Sequence, residues 1–229
     1  MSAFPKIKLH WLEKSRALRV IWLLEELGVK YEVIPYKRNE NFRAPESLKK
    51  IHPLGKSPIV EFQQDENAKP IMLAESGHIF QWLLNKFDDG KLYDVKNREQ
   101  IDYYLHYAEG TLQPPLLFEF IFHKAREAYA PWPISSLKNM IINKMSSGYS
   151  AGEVKTNLEF LEEELKKNNG YFVDGKLTGA DIILSFPLTN EFGFEMKDYP
   201  NVSEWLSNIQ KSKGYEAAKE IAKSYGSDY

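Results

Sequence analysis

The sequence predicts an α/β domain followed by an all-helical domain, and three observations carry that prediction. Over the first ninety or so residues apolar positions recur with periods of both two and 3.6, whereas beyond them the pattern is almost wholly helical. The length, 229 residues, suits one or two domains at roughly 100–200 residues each. A short polar stretch, Asp88-Asp89-Gly90-Lys91, falls where the two patterns meet and reads as the linker. The expected domains are therefore residues 1–88 and 95–229.

Taken in order, Ile7, Leu9 and Trp11 alternate with Lys8 and His10, the pattern of a half-buried strand. Val20, Ile21, Leu24 and Leu27 then recur at helical spacing, with Ser15 placed to cap the helix and Gly28 to end it. Tyr31 to Pro35 reads as a second strand, and a polar stretch to Leu54 holds a short helix around Pro45 to Lys50. Ile59 to Phe62 and Ile71 to Leu73 flank a turn containing Asp65, Glu66 and Asn67, a hairpin pattern. A helix with Ile79, Phe80, Leu83, Leu84 and Phe87 on one stripe follows. This order, βαβ then ββα on one small sheet, is thioredoxin-like.

In the second domain, Ile101, Leu105, Ala108 and Leu112 mark a long helix that Pro114-Pro115 should kink or end, because two amide donors are lost together. Pro131 and Pro133 mark a loop, and Val154, Leu158, Leu161 and Leu165 mark a helix closed by Asn168-Asn169-Gly170. Thr178-Gly179-Ala180-Asp181 is a capping box: the Thr hydroxyl accepts from the Asp181 amide and the carboxylate reaches back. Val202, Trp205, Leu206 and Ile209, then Ala218, Ile221 and Ala222, mark two short helices.

Composition narrows the function classes. Lys plus Arg number 30 against 32 Asp plus Glu, a net charge of -2, so no basic field concentrates polyanions and no nucleic-acid partner is expected. Hydrophobic residues at 43% and aromatic residues at 14% indicate a packed core rather than disorder. The absence of cysteine removes disulfides, Cys-ligated metals, the CxxC redox pair and a cysteine nucleophile together. Any thiol chemistry must use a thiol from outside. The first residues contain no apolar h-region, and the longest apolar run, Val20 to Leu24, is far short of the roughly 20 residues that span a bilayer. A cytoplasmic protein without a transmembrane segment is expected, and peripheral attachment to an internal membrane through a partner stays compatible with the sequence.

Four motifs stand in order along the chain: Ser15 and Arg19 in a Ser-x-x-x-Arg start to the first helix, His52-Pro53-Leu54-Gly55-Lys56-Ser57-Pro58 before the third strand, Glu75-Ser76 before the third helix, and Leu177-Thr178-Gly179-Ala180-Asp181. Each is weak alone; in this order and spacing the chain resembles the glutathione transferase family over essentially its whole length. Phrases such as NFRAPESLKKIHPLGKSP and EGTLQPPL look closest to fungal, yeast-type members. The resemblance implies a thioredoxin-like glutathione-binding domain and an all-helical domain that contributes the electrophile pocket. It implies glutathione as co-substrate, no permanently bound cofactor, no metal, and a two-fold homodimer. The implied reaction is conjugation of the glutathione thiolate to small hydrophobic electrophiles, with glutathione-dependent peroxide reduction as a further outlet in detoxification and oxidative stress.

The chemistry explains why such residues are needed. A free thiol with pKa about 8.5 is only a few per cent thiolate at pH 7. A hydroxyl donor and the positive end of a helix together could lower that value by about two units, roughly 2.7 kcal/mol. Ser15, at the start of the first helix, is the candidate, because a hydroxyl has one donor and two acceptor sites and can cap while donating to sulfur. Two departures from the family pattern are Ala17, where many serine-type relatives carry Pro, and Trp11, where tyrosine-type relatives keep their catalyst.

By the same resemblance Ser57-Pro58 is a cis-proline turn that pairs with the glutathione peptide, Glu75 meets the γ-glutamyl ammonium and the Ser76 hydroxyl and amide hold its carboxylate. Lys56 meets the glycine carboxylate, and His52 is a second candidate for that task. Tyr103, Tyr107, Thr111 and Phe118 lie roughly on one helical stripe and are candidates for the electrophile pocket, although an aromatic stripe is more often core than pocket; Phe120 to Trp132 is a candidate lid. The competing reading is a non-catalytic binding or interaction module on the same fold, since fold alone does not decide function.

Overall fold

The computed structural model describes residues 4–189 and 196–227. The chain divides into two compact units, one formed by residues up to 98 together with those from 210 onward, the other by residues 99–209.

In the first unit β1 (Lys6–Leu12) is followed by α1 (Ala17–Glu26), β2 (Glu32–Tyr36), a short α2 (Glu46–Lys49), β3 (Ile59–Gln63), β4 (Ile71–Ala74) and α3 (Ser76–Phe87). The sheet order is β2-β1-β3-β4. β1 and β2 are parallel, as their helical crossover requires, and β3–β4 is the antiparallel hairpin expected from its short turn. Lys8 to Leu12 pair with Glu32 to Tyr36, so β2 starts and ends one residue later than its apolar run suggests. Pro35 is tolerated because β2 is an edge strand, where a missing amide breaks no ladder.

Three features differ from the sequence reading. The alternation in β1 leaves His10 facing outward, yet His10 is buried; its Nδ1 lies 2.9 Å from the Tyr36 hydroxyl and its Nε2 3.7 Å from the Glu61 carboxylate. Burial lowers its pKa, against the pull of Glu61, so the ring is neutral at pH 7. Asp88 makes the expected linker a fixed corner, its carboxylate accepting from the amides of Gly90 (2.9 Å), Leu92 (3.1 Å) and Tyr93 (2.9 Å). The last helix, α10 (Lys213–Ser224), packs on α1 with Tyr215 edge-on to Trp22 at 5.1 Å. The chain from 210 onward thus joins the first unit, although the sequence reading grouped it with the second.

The second unit begins with α4 (Arg98–Tyr107), a π-helical turn (Ala108–Leu112) and α5 (Gln113–Glu127). Pro114 and Pro115 do not end the helical path. They occupy the second and third positions of α5, just after the π turn, where absent amides cost least. Then come α6 (Ile134–Met145), a second π turn (Ser146–Ser150), α7 (Ala151–Lys167), α8 (Gly179–Ser185) and α9 (Pro200–Ile209). The α6 helix is absent from the sequence reading; among its side chains Ile142 is buried, while Ile134, Leu137, Met140, Ile141 and Met145 are exposed.

The capping box at Thr178 is present in both directions. Asp181 there does more than cap. It is fully buried and accepts from Thr178 N (2.8 Å), Thr178 Oγ1 (2.9 Å), Phe172 N (3.2 Å) and Trp205 Nε1 (2.9 Å). One carboxylate therefore ties α8 to the 172 segment and to α9.

Candidate active site

The end of the sheet where β1 runs into α1 collects the first-unit residues that the motifs single out. His10 stands opposite Ile59 and Ile59 opposite Ala74. Continuing one or two residues along each strand brings Leu12, Ser57-Pro58 and Glu75 to one edge.

Hydrogen bonds join this edge into a relay. The Ser57-Pro58 peptide is cis, and the Ser57 hydroxyl donates to His10 O (2.9 Å) while accepting from Leu12 N (3.1 Å). Leu12 O in turn accepts from the Ser15 hydroxyl at 2.6 Å, and Ser15 Oγ accepts from Ala17 N at 3.3 Å. Ser15 is buried. Arg16 flanks α1, so Ser15 stands one residue ahead of the cap position given to it by the sequence, although its oxygen still serves a first-turn amide. Its proton is directed to Leu12 O, so donation to a sulfur requires the hydroxyl to exchange acceptors.

Glu75 is exposed and adopts φ 69°, a conformation rare outside glycine, while its carbonyl accepts from Ile79 N at 2.9 Å to begin α3. Non-glycine residues held in this region cost about 1–3 kcal/mol and cluster at ligand clamps. Ser76, the first residue of α3, is buried. The helix start therefore places amides, a hydroxyl and a carboxylate-bearing residue side by side, a set suited to an amino-acid head group.

Lys56 is exposed in the loop that leads to Ser57. His52 shapes this loop rather than standing apart from it: Nδ1 accepts from Leu54 N (3.4 Å) and its carbonyl accepts from Gly55 N (2.8 Å). Gly55 is buried with φ +57°, and a Cβ there would lie 2.6 Å from Lys49 Cγ. Gly55→Ala is expected to lower stability by about 1–2 kcal/mol, several degrees in thermal midpoint for a chain of this size. An unaltered melting curve would show that the loop can rewind around a side chain.

In the second unit Tyr103 and Tyr107 stack at 5.8 Å, but their environments differ. Tyr103 is half exposed, whereas Tyr107 is buried against Phe160 and donates to Asn157 Oδ1 at 2.5 Å; burial pushes its pKa upward. Thr111 and Phe118 are exposed, with Phe118 6.0 Å from Tyr149. Tyr107 is core, and the remaining three lie on the surface of their unit.

Two residues beside Ser15 have no sequence signal: Glu13 and Arg38 bond across 25 positions, and Arg38 lies in a polar stretch without periodicity.

The Glutathione S-transferase, N-terminal domain family matches residues 5–85, and the Glutathione S-transferase, C-terminal domain family matches residues 132–213. The chain is 51% identical over 235 residues to glutathione S-transferase 1 of Saccharomyces cerevisiae, covering 99% of this chain and 100% of that one. Among solved structures it matches a glutathione S-transferase from Actinobacillus pleuropneumoniae with TM-score 0.73 and 29% identity, covering 95% and 93% of the two chains. It also matches the fold of a glutathione transferase homologue from Lodderomyces elongisporus, solved with two GSH per subunit, with TM-score 0.74 and 21% identity over 95% and 99% of the chains. Both domain families match in chain order and the yeast relative spans the whole sequence, so the chain belongs to the glutathione S-transferase family of enzymes.

Proposed function

We propose that the thioredoxin-like unit binds glutathione and that the enzyme joins its thiolate to small hydrophobic electrophiles. The observation that carries this reading is the relay His10–Ser57–Leu12–Ser15, which couples a cis-proline turn to a hydroxyl at the start of α1. Ser57-Pro58 offers the peptide of glutathione a strand to pair with. Glu75 meets the γ-glutamyl ammonium, Ser76 its carboxylate, and Lys56 the glycine carboxylate, with His52 supporting the Lys56 loop. Tyr103, Thr111 and Phe118 supply the apolar surface for the electrophile.

In the reaction the thiol proton leaves to solvent and the sulfur forms a bond to an electrophilic carbon; in a substitution the bond to the leaving group breaks and that group departs to solvent with the bonding pair, and in an addition a proton from solvent completes the adduct. The protein contributes proximity and anion stabilisation without a covalent intermediate. A peroxide is a second acceptor: sulfur attacks oxygen, alkoxide leaves and is protonated, and a second glutathione reduces the resulting sulfenic acid to disulfide and water. Cytoplasmic residence and a two-fold dimer, both carried from the family, complete the proposal.

The test is ultraviolet difference spectroscopy of bound glutathione from about pH 5 to 9, reading the thiolate band near 240 nm. A midpoint at about pH 6–7 is expected. Binding without ionisation, or no binding, would favour the interaction module, whose ligand is a protein.

A further inference from the structure

The turn that delivers Ser15 is held by one side chain from beyond β2. Arg38 Nε donates to Glu13 O (3.1 Å), one terminal nitrogen donates to Lys14 O (2.9 Å), and the other to Phe42 O (2.8 Å). The tie is reciprocal, because Glu13 Oε1 accepts from Arg38 N at 2.7 Å. Glu13 N also donates to Tyr36 O at 3.1 Å, so the end of β2 and the end of β1 are joined through main chain as well.

Two of the three carbonyls that Arg38 holds belong to left-handed residues, Lys14 at φ 47° and Phe42 at φ 56°. Neither is glycine or asparagine, the residues that adopt this conformation readily. Such a backbone persists only where its surroundings over-determine it. A guanidinium is suited to that task, since its donors have a fixed planar spacing that an ammonium lacks. Lys14 directly precedes Ser15, so the torsions of Lys14 set where the Ser15 hydroxyl stands relative to Leu12 O and the first amides of α1.

We propose that Arg38 is a positioning residue for the glutathione thiolate, locking the Glu13-Lys14 turn in the left-handed shape that presents Ser15 at the start of α1. The inference rests on the reading of Ser15 given above. Arg38 acts through geometry, and its charge is not what lowers the thiol pKa. No position in the sequence marks this role, because the partners are main-chain carbonyls.

The test is titration of the bound-glutathione thiolate band, with kcat and glutathione affinity, for Ser15→Ala, Arg38→Ala, Arg38→Lys and the double variant Lys14→Gly with Arg38→Ala. Arg38→Ala is expected to raise the bound thiol pKa by about half a unit or more and to lower kcat about threefold or more near pH 6.5, while affinity changes less than about threefold. Arg38→Lys keeps the charge and loses the fork, so it should resemble Arg38→Ala and supplies the same test if the alanine variant does not fold. Glycine at position 14 takes positive φ without penalty, so the double variant should recover most of the lost rate. A wild-type titration for Arg38→Ala, a wild-type-like Arg38→Lys, or a double variant no better than Arg38→Ala would each overturn the inference. If Ser15→Ala shifts the titration and Arg38→Ala does not, only the role of Arg38 falls; if Ser15→Ala leaves it unmoved, the reading of Ser15 falls first.

Discussion

Replacing Asp181 by alanine is expected to cost the protein about 3–5 kcal/mol, as much as truncating a buried aromatic side chain. Four donors converge on this carboxylate, from Thr178 twice, Phe172 and Trp205, in a site closed to water. Each buried donor left unmade costs about 1–3 kcal/mol, and the gain from no longer burying a charge offsets only part of the sum. Phe172 and Trp205 pack edge-on at 5.0 Å beside it, so the loss also loosens the aromatic core that joins α8 to α9. An unfolding free energy from urea titration lowered by under 1 kcal/mol, with an unchanged slope, would show that these groups find other partners.

The pH dependence of the same residue has a definite sign. Burial pushes Asp181 from 3.8 up to about 6, against the pull of its donors. Between those values the native state binds a proton that the unfolded chain has lost, so stability from this group is complete below the unfolded value and declines as pH rises through about 6. A carboxyl proton has an acceptor in place, since the Thr178 hydroxyl can reverse its bond at 2.9 Å. Asp181→Asn does not titrate, so the advantage of the natural protein over that variant should be larger at pH 4.5 than at pH 7. The opposite order would mean that the four donors outweigh burial.

Periodicity and motif order made most of the fold legible. The alternation of Ile7, Leu9 and Trp11, the stripe of α1 and the capping box all report local regularities, and each is where the sequence places it. What failed is what periodicity does not encode. It identifies the apolar face of α10 but not the helix that accepts that face, and α10 lies on α1. It counts His10 as polar and therefore outward, whereas the second face of β1 is closed by Tyr36 and Glu61. The prolines at 114 and 115 predict a kink or an end from the lost amides, and the helical path continues past them after a π turn.

The site divides in the same way. Ser57-Pro58 and Glu75-Ser76 are contiguous pairs at element ends, so a motif reports them. The acceptor of the Ser15 proton, the buried state of Tyr107 and the clasp of Arg38 on Glu13 depend on residues distant in sequence, and no spacing rule reaches them.

Ser15→Ala is expected to lower turnover by about 10- to 100-fold, corresponding to roughly 1.4–2.7 kcal/mol of transition-state and thiolate stabilisation. The hydroxyl proton rests on Leu12 O at 2.6 Å, so the question is whether sulfur can win it. A neutral hydrogen bond contributes about 1 kcal/mol net, and a bond to a charged partner is roughly twice as strong. Exchange of a carbonyl for a thiolate is therefore downhill by about 1 kcal/mol, while removing the hydroxyl forfeits the whole charge-assisted bond, about 2 kcal/mol. Ser57 is engaged in the same way, donating to His10 O at 2.9 Å and accepting from Leu12 N. The variant also gives up the 3.3 Å bond to Ala17 N, a small loss that should leave the melting temperature within a few degrees. The bound thiol pKa should rise with the fall in rate, since both report the same anion. A slower enzyme with an unshifted thiol pKa would move Ser15 from thiolate stabilisation to placement of the electrophile, and an unchanged rate would leave the positive end of α1 as the activating group.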